Sequence, residues 1–144
     1  DIVVDAERDL LVNVLPYHPF LVKPNNHELG DIVGATISHR DEVEPYARML
    51  QERGARNVLV SMGGEGAVLV PEKGDVIMSE APKGTMVNTV GAGDSMVAGF
   101  LTGWIESNGD YETAFKMGVC TGSASAFSDN LAMRPEVEAL LAKM

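Results

Sequence analysis

Thr89-Val90-Gly91-Ala92-Gly93-Asp94-Ser95 sets three small residues and a carboxylate ahead of Met96, Val97, Phe100, Leu101, Trp104 and Ile105, apolar residues at helical spacing. That spacing predicts a long helix from Ser95 onward. The backbone N–H groups of Gly91, Ala92 and Gly93 then fall among the donors that a helix N-terminus leaves without intrahelical partners. The positive end of the helix dipole favours phosphate or another anion there. Glycine lets a bulky ligand approach the backbone, and Asp94 adds a proton acceptor in the same turn. Donors for an anion beside a base suit phosphoryl transfer to a hydroxyl. The same residues also make an ordinary loop in which Asp94 caps the helix. Two other phosphate-binding patterns are excluded. No G-x-x-x-x-G-K-[ST] occurs, and a G-x-G-x-x-G reading from Gly91 meets Met96 where its third glycine belongs.

The elements that must position this turn alternate. Ile2 to Val4 reads as a short buried strand, and Ala6 to Leu15 as a helix ended by Pro16 and Pro19. Phe20-Leu21-Val22 is a second strand, followed by Lys23-Pro24-Asn25. Asn25 or Asn26 caps a short helix through Glu28, Leu29, Ile32 and Val33, stopped near Gly34. Ser38 to Arg53 is the clearest helix, with Ser38 and Asp41 as capping choices and Gly54 as its stop. Asn57 to Met62 is a continuous apolar strand of the parallel-sheet kind. Gly63-Gly64-Glu65-Gly66 then turns into Ala67 to Val70, and Val76 to Met78 returns to complete a hairpin. Tyr111 to Ser128 and Pro135 to Lys143 are the last two helices. This order predicts an α/β fold with a parallel sheet. Ligands of such sheets gather at the carboxyl ends of the strands.

Composition narrows the field. The 144 residues suffice for one domain, and 45% apolar with 22% charged residues is ordinary for a globular protein. A net charge of −10 argues against nucleic acid or an anionic membrane surface as partner. Cys120 is the single cysteine, so no internal disulfide forms, and it reads as a small core residue. His18, His27 and His39 share no metal spacing, and the methionines read as core filler. Asp41, Glu42 and Glu44 read as a solvated helix start. No apolar stretch reaches membrane-spanning length, and the cytoplasm is the expected location. A chain that opens on Asp1-Ile2-Val3-Val4, inside a strand and without an initiator methionine, is expected to be a fragment.

Three segments, in order, carry a resemblance: Lys23-Pro24-Asn25-Asn26-His27-Glu28-Leu29, Ser61-Met62-Gly63-Gly64-Glu65-Gly66-Ala67, and Asn88 to Ser95. The chain resembles the ribokinase-like (PfkB) carbohydrate kinases, and within them the branch of 1-phosphofructokinases and tagatose-6-phosphate kinases. The resemblance covers the entire chain but only the C-terminal half of such a kinase. It implies a ribokinase-like fold lacking its N-terminal part, with residues 1–144 as the nucleotide-binding and catalytic portion of a single domain. It implies transfer of the ATP γ-phosphoryl group to a hydroxyl of fructose 1-phosphate, giving fructose 1,6-bisphosphate, with ATP and Mg²⁺ as cofactors. Asp94 matches the catalytic base, and Gly91, Ala92 and Gly93 match the anion hole. Ser61, Gly63, Gly64 and Gly66 match the nucleotide-binding loop, although a tight glycine turn explains them equally well. Asn25 and Glu28 match the N-x-x-E motif associated, largely through water, with Mg²⁺. They also have the spacing of a capping box, and the two roles can coexist. Gly122-Ser123-Ala124-Ser125-Ala126 lies where the family packs a helix beside adenine, and close helix packing is the preferred reading for most of it. Lys23 could meet phosphate, but a solvated lysine at a strand end is the preferred reading, and it is left out of the site. The partners implied are ATP and a phosphosugar, with a homodimer expected of the full-length protein. Kinase activity is not expected of the isolated chain. Another sugar-kinase branch and a nucleotide-binding module without catalytic duty are the alternatives.

Overall fold

Apolar runs too short for helices become the strands of one sheet. The structure, a computed structural model, describes residues 3–5, 8–82, 92–126 and 134–142. It divides into two units, Asp1–Glu80 and Ala81–Met144.

The first unit contains β1 (Val3–Val4), α1 (Arg8–Val14), β2 (Leu21–Val22), α2 (Asn26–Val33), α3 (Val43–Glu52), β3 (Asn57–Ser61), β4 (Ala67–Val70) and β5 (Ile77–Ser79). The strands lie side by side in chain order. β1, β2 and β3 are parallel, with Val3 opposite Leu21 and Leu21 opposite Asn57. β4 runs antiparallel to both β3 and β5, so the sheet is mixed. The sequence reading placed Asn57 to Met62 in a parallel sheet and confined the hairpin to the strands that follow. The connection Met62–Gly66 is too short for the crossover a parallel pair requires, so β4 folds straight back on β3.

Alternate residues of the central strands, Val58, Val60, Val68 and Val70, share a core with Leu11, Leu29, Val43, Ala47 and Leu50 from the three helices. Full burial of each such side chain stabilises the unit by roughly 1.5–3 kcal/mol. Leu21, Leu59 and Leu69, on the opposite face of the strands, are buried as well. Asn57 is buried but satisfied: its amide donates to the Phe20 carbonyl at 2.8 Å and its oxygen accepts from Glu72 N–H at 2.8 Å.

The helix expected from Ser38 begins later, at Val43, after a 3₁₀ turn over Arg40–Glu42. Pro45 explains the delay. In the first turn of α3 its missing N–H costs nothing, whereas an earlier start would place it in the helix interior. Neither Ser38 nor Asp41 caps α3. Glu42 instead accepts the N–H groups of Ser38 and His39 at 3.2 and 2.9 Å.

The second unit contains α4 (Ala92–Glu106), α5 (Tyr111–Ala126) and α6 (Arg134–Leu141). α4 and α5 approach closely because glycines line their contact. A Cβ on Gly99 would lie 2.4 Å from Thr121 Oγ1, and one on Gly118 would lie 2.9 Å from the Met96 carbonyl oxygen. Ala124 packs with Val137 and Leu140 of α6, and Ser125 Oγ donates to Ser95 Oγ at 2.7 Å. Those contacts agree with the packing reading of the small residues in α5. Ile105, expected on the apolar face of α4, is 75% exposed while Phe100 is fully buried. The apolar run of this helix is wider than the face it buries.

Cys120 is fully buried, and burial raises its thiol pKa to about 11. We expect the folded protein to resist maleimide labelling at pH 8 and the unfolded chain to react readily. Because the folded pKa lies above the unfolded one, this thiol favours the folded state below pH about 9. That contribution falls as the pH rises through about 11, which alkaline unfolding curves of the parent and Cys120→Ala check.

Candidate active site

The parallel strands share one carboxyl edge, and the candidate residues of the first unit occur there. Asn25 lies beyond the end of β2 and forms an isolated parallel bridge with Ser61, the last residue of β3. Ser61 N–H donates to the Pro24 carbonyl at 3.1 Å, which stitches the two strand ends together.

Asn25 is the N-cap of α2. Its Oδ1 accepts from Glu28 N–H at 2.8 Å, and Glu28 Oε1 accepts from Asn25 N–H at 2.9 Å. This reciprocal capping box satisfies two donors that the helix start would otherwise leave open. Glu28 is half-buried, and its second oxygen takes no hydrogen bond among the described residues. Among those residues no group of three or more His, Cys, Asp or Glu side chains is arranged to hold a metal ion. What remains is a hard-oxygen pair, one carboxylate and one amide, which suits a Mg²⁺ ion that keeps most of its waters. The donor set therefore fits an ion bound indirectly.

The glycine loop follows β3 as a 3₁₀ turn over Gly63–Glu65. A Cβ on Gly63 or Gly64 would meet nothing within 4 Å, so a ligand can lie directly against this backbone. Gly66 is buried, and its carbonyl accepts Met62 N–H at 2.9 Å, which closes the turn. Glu65 anchors the loop from outside. Its carboxylate meets His39 Nδ1 at 3.3 Å, and its backbone carbonyl accepts from the Arg40 guanidinium. Sequence reading gave His39 and Arg40 no part in this loop.

Lys23 departs most from expectation. It is 5% exposed rather than solvated, and its ammonium pairs with Asp5 Oδ1 at 3.4 Å. A buried ammonium loses several kcal/mol of hydration, so a carboxylate partner is required. The signal was available in the sequence. Val-Val-Asp and Leu-Val-Lys each set a charge directly after an apolar strand, with opposite signs.

In the second unit Asp94 is exposed in the first turn of α4, close behind Ala92 and Gly93, whose N–H groups belong to the open end of a fifteen-residue helix. Gly91 and the preceding Asn88-Thr89-Val90 lie outside the described residues. Ala92, Gly93 and an exposed carboxylate thus share the first turn of α4. No helix of the described residues is long and apolar enough to cross a membrane.

The chain is similar to several known proteins. The chain is 46% identical over 140 residues to a 1-phosphofructokinase of Bacillus subtilis, covering 97% of this chain and 46% of that protein. It is 32% identical over 141 residues to a D-tagatose-1-phosphate kinase of Klebsiella oxytoca, covering 98% of this chain and 46% of the relative. The crystal structure of a candidate phosphofructokinase from Staphylococcus aureus superposes with a TM-score of 0.90 at 43% identity, over 97% of this chain and 45% of that one. The chain thus spans about half the length of the relatives it matches. The expected ribokinase-like α/β fold agrees with these likenesses, the antiparallel β4 and β5 included. Residues 2–135 match the model of the pfkB family of carbohydrate kinases, and the chain belongs to that family.

Proposed function

We propose that the whole protein is an ATP-dependent phosphosugar kinase acting on fructose 1-phosphate, and that residues 1–144 are its nucleotide-binding and catalytic portion. The observation that carries this reading is the exposed carboxylate of Asp94 in the first turn of α4, which opens on Ala92 and Gly93. Asp94 accepts the proton of the attacking sugar hydroxyl. The hydroxyl oxygen bonds to the γ-phosphorus as the bond to the bridging oxygen of ADP breaks. Ala92 and Gly93, with Gly91, donate to the phosphoryl oxygens on which charge develops. Ser61, Gly63 and Gly64 form the surface against which the nucleotide lies, and Gly66, buried and so not the contact expected of it, closes the turn behind them. Asn25 and Glu28 orient the waters of a Mg²⁺ ion, which when bound neutralises charge on the transferring phosphates.

Coupled ADP-release assays on the whole gene product test this. We expect kcat/KM for fructose 1-phosphate to exceed that for fructose 6-phosphate by about tenfold or more, a margin that requires roughly 1.4 kcal/mol of differential transition-state binding. The Klebsiella relative supports a second reading, in which tagatose 1-phosphate is the better substrate. A preference for neither ketohexose 1-phosphate contradicts both. The 144-residue chain alone is expected to show no turnover, and robust turnover would show that it carries its own sugar site.

Glu28→Gln separates capping from metal binding. Glutamine completes a capping box as glutamate does, so stability should change by less than about 0.5 kcal/mol in urea unfolding. The Mg²⁺ concentration for half-maximal activity should rise several-fold, because the carboxylate charge is gone. A large stability loss with unchanged Mg²⁺ dependence would leave Glu28 as a cap alone.

A further inference from the structure

The turn after β3 is Gly63-Gly64-Glu65-Gly66, and glycine loses more backbone freedom on ordering than any other residue. Its internal hydrogen bonds are local: Glu65 N–H donates to the Met62 carbonyl at 3.1 Å and Gly66 N–H to the Gly63 carbonyl at 3.1 Å. Among the described residues nothing lies within 4 Å of the Cβ positions of Gly63 and Gly64, so neither is propped from the side. Outside support converges on Glu65. His39 Nδ1 meets its carboxylate at 3.3 Å, and Arg40 Nη1 donates to its backbone carbonyl. The other terminal nitrogen of Arg40, Nη2, lies 3.9 Å from Oε1 of Glu80, the residue directly after β5. One planar fork thus spans the glycine turn and the end of a strand. The backbone leading into Arg40 is fixed in turn, because Glu42 accepts the N–H groups of Ser38 and His39.

Folding stability does not call for this clamp. Glu65 is exposed, so water would satisfy its carbonyl, and an ion pair as open as Arg40–Glu80 contributes little. Arg40 nevertheless keeps only 26% of its side chain exposed, and ordering so long a side chain costs rotamer freedom. What that cost secures is the shape of a turn whose outer backbone is bare.

We propose that Arg40 is a positioning residue for the nucleotide. It holds the Gly63–Gly66 turn in its binding shape before ATP arrives, so that ATP does not meet the cost of ordering the glycines. This rests on the kinase reading above, in which the nucleotide lies against this turn. Arg40 itself touches neither substrate.

The test uses the whole gene product with Arg40→Met, Arg40→Lys and Glu80→Gln. Calorimetric ATP binding, kinetics with each substrate varied, and hydrogen exchange at Glu65 and Gly66 N–H are measured, with urea unfolding alongside. Methionine keeps the apolar stem and removes the donors, so the urea midpoint should stay close to that of the parent. We expect Arg40→Met to weaken ATP about three- to tenfold and to raise its KM by the same factor. The kcat at saturating ATP and the KM for fructose 1-phosphate should stay within about twofold. Exchange at Glu65 and Gly66 N–H should quicken in the ligand-free variant. Arg40→Lys should recover part of the affinity, since one ammonium can reach the Glu65 carbonyl but cannot also span to Glu80. Glu80→Gln should weaken ATP less than Arg40→Met does. An ATP loss of less than about threefold in folded Arg40→Met would overturn the proposal. So would an equal loss for fructose 1-phosphate, which marks a general structural defect. If Arg40→Met does not fold, parent-like ATP affinity in both Arg40→Lys and Glu80→Gln overturns it instead. A parent that binds ATP but turns over no phosphosugar defeats the kinase reading, while the ATP arm still decides the role of Arg40. A parent that binds no ATP overturns both.

Discussion

Asp94→Asn in the whole protein should lower kcat by about 10²- to 10⁴-fold while the ATP dissociation constant stays within about threefold. The amide keeps the size of the side chain, so the first turn of α4 persists. What disappears is a carboxylate able to take the proton of the attacking hydroxyl. Because Asp94 is exposed, substitution opens no cavity, and the change in folding stability should stay under about 1 kcal/mol, the scale of a charge at a helix N-terminus. Asp94→Ala should cost the same activity and, through the lost charge at the helix N-terminus, a similarly small amount of stability. Turnover of Asp94→Asn within about threefold of the parent would remove the residue from the role of base. Parallel loss of ATP affinity would move it from proton transfer to nucleotide binding.

Gly54→Ala should destabilise the first unit by about 3–5 kcal/mol, the largest stability effect expected of a single added methyl group among the described residues. Gly54 has φ +132°, a conformation that side chains rarely adopt, and a Cβ built there would lie 1.8 Å from the Leu15 carbonyl oxygen. That atom cannot retreat freely. Leu15 O already accepts His18 N–H at 3.0 Å, and the His18 ring donates from Nδ1 to the Gly54 carbonyl at 3.1 Å. Gly74→Ala is the matched control, because its φ is +99° but nothing lies within 4 Å of its Cβ position. Backbone strain alone predicts about 1–2 kcal/mol at Gly74, and the excess at Gly54 measures the clash. Equal losses at the two positions in urea unfolding would show that the backbone around Leu15 relaxes to admit the methyl group.

Much of this was legible in the sequence, because it depends on neighbours a few residues apart. The Asn25–Glu28 capping box, the stop of α2 at Gly34 and the start of α5 at Tyr111 follow from local spacing and end signals, whereas α4 begins at Ala92, three residues ahead of the Ser95 that apolar spacing predicted. The later start of α3 was legible too, had Pro45 been weighed against the acidic residues before it. Ile105 was not legible. Helical period says which residues share a face but not how wide a face the neighbouring helix covers.

The sequence by itself determined the family and the inventory of candidate groups: a Gly-Ala-Gly turn with a carboxylate, a glycine loop, and an Asn–Glu pair at a helix start. Those are patterns of residue type and spacing, which the covalent chain carries unaided. Only the tertiary structure decided that β4 returns antiparallel to β3 and that Gly63 and Gly64 face open space. It also decided that Lys23 is buried against Asp5 rather than solvated. The physical reason is the same in each case. Burial and ion pairing depend on groups far apart in sequence, and a charge at the end of one strand is solvated or enclosed according to what the next strand places beside it.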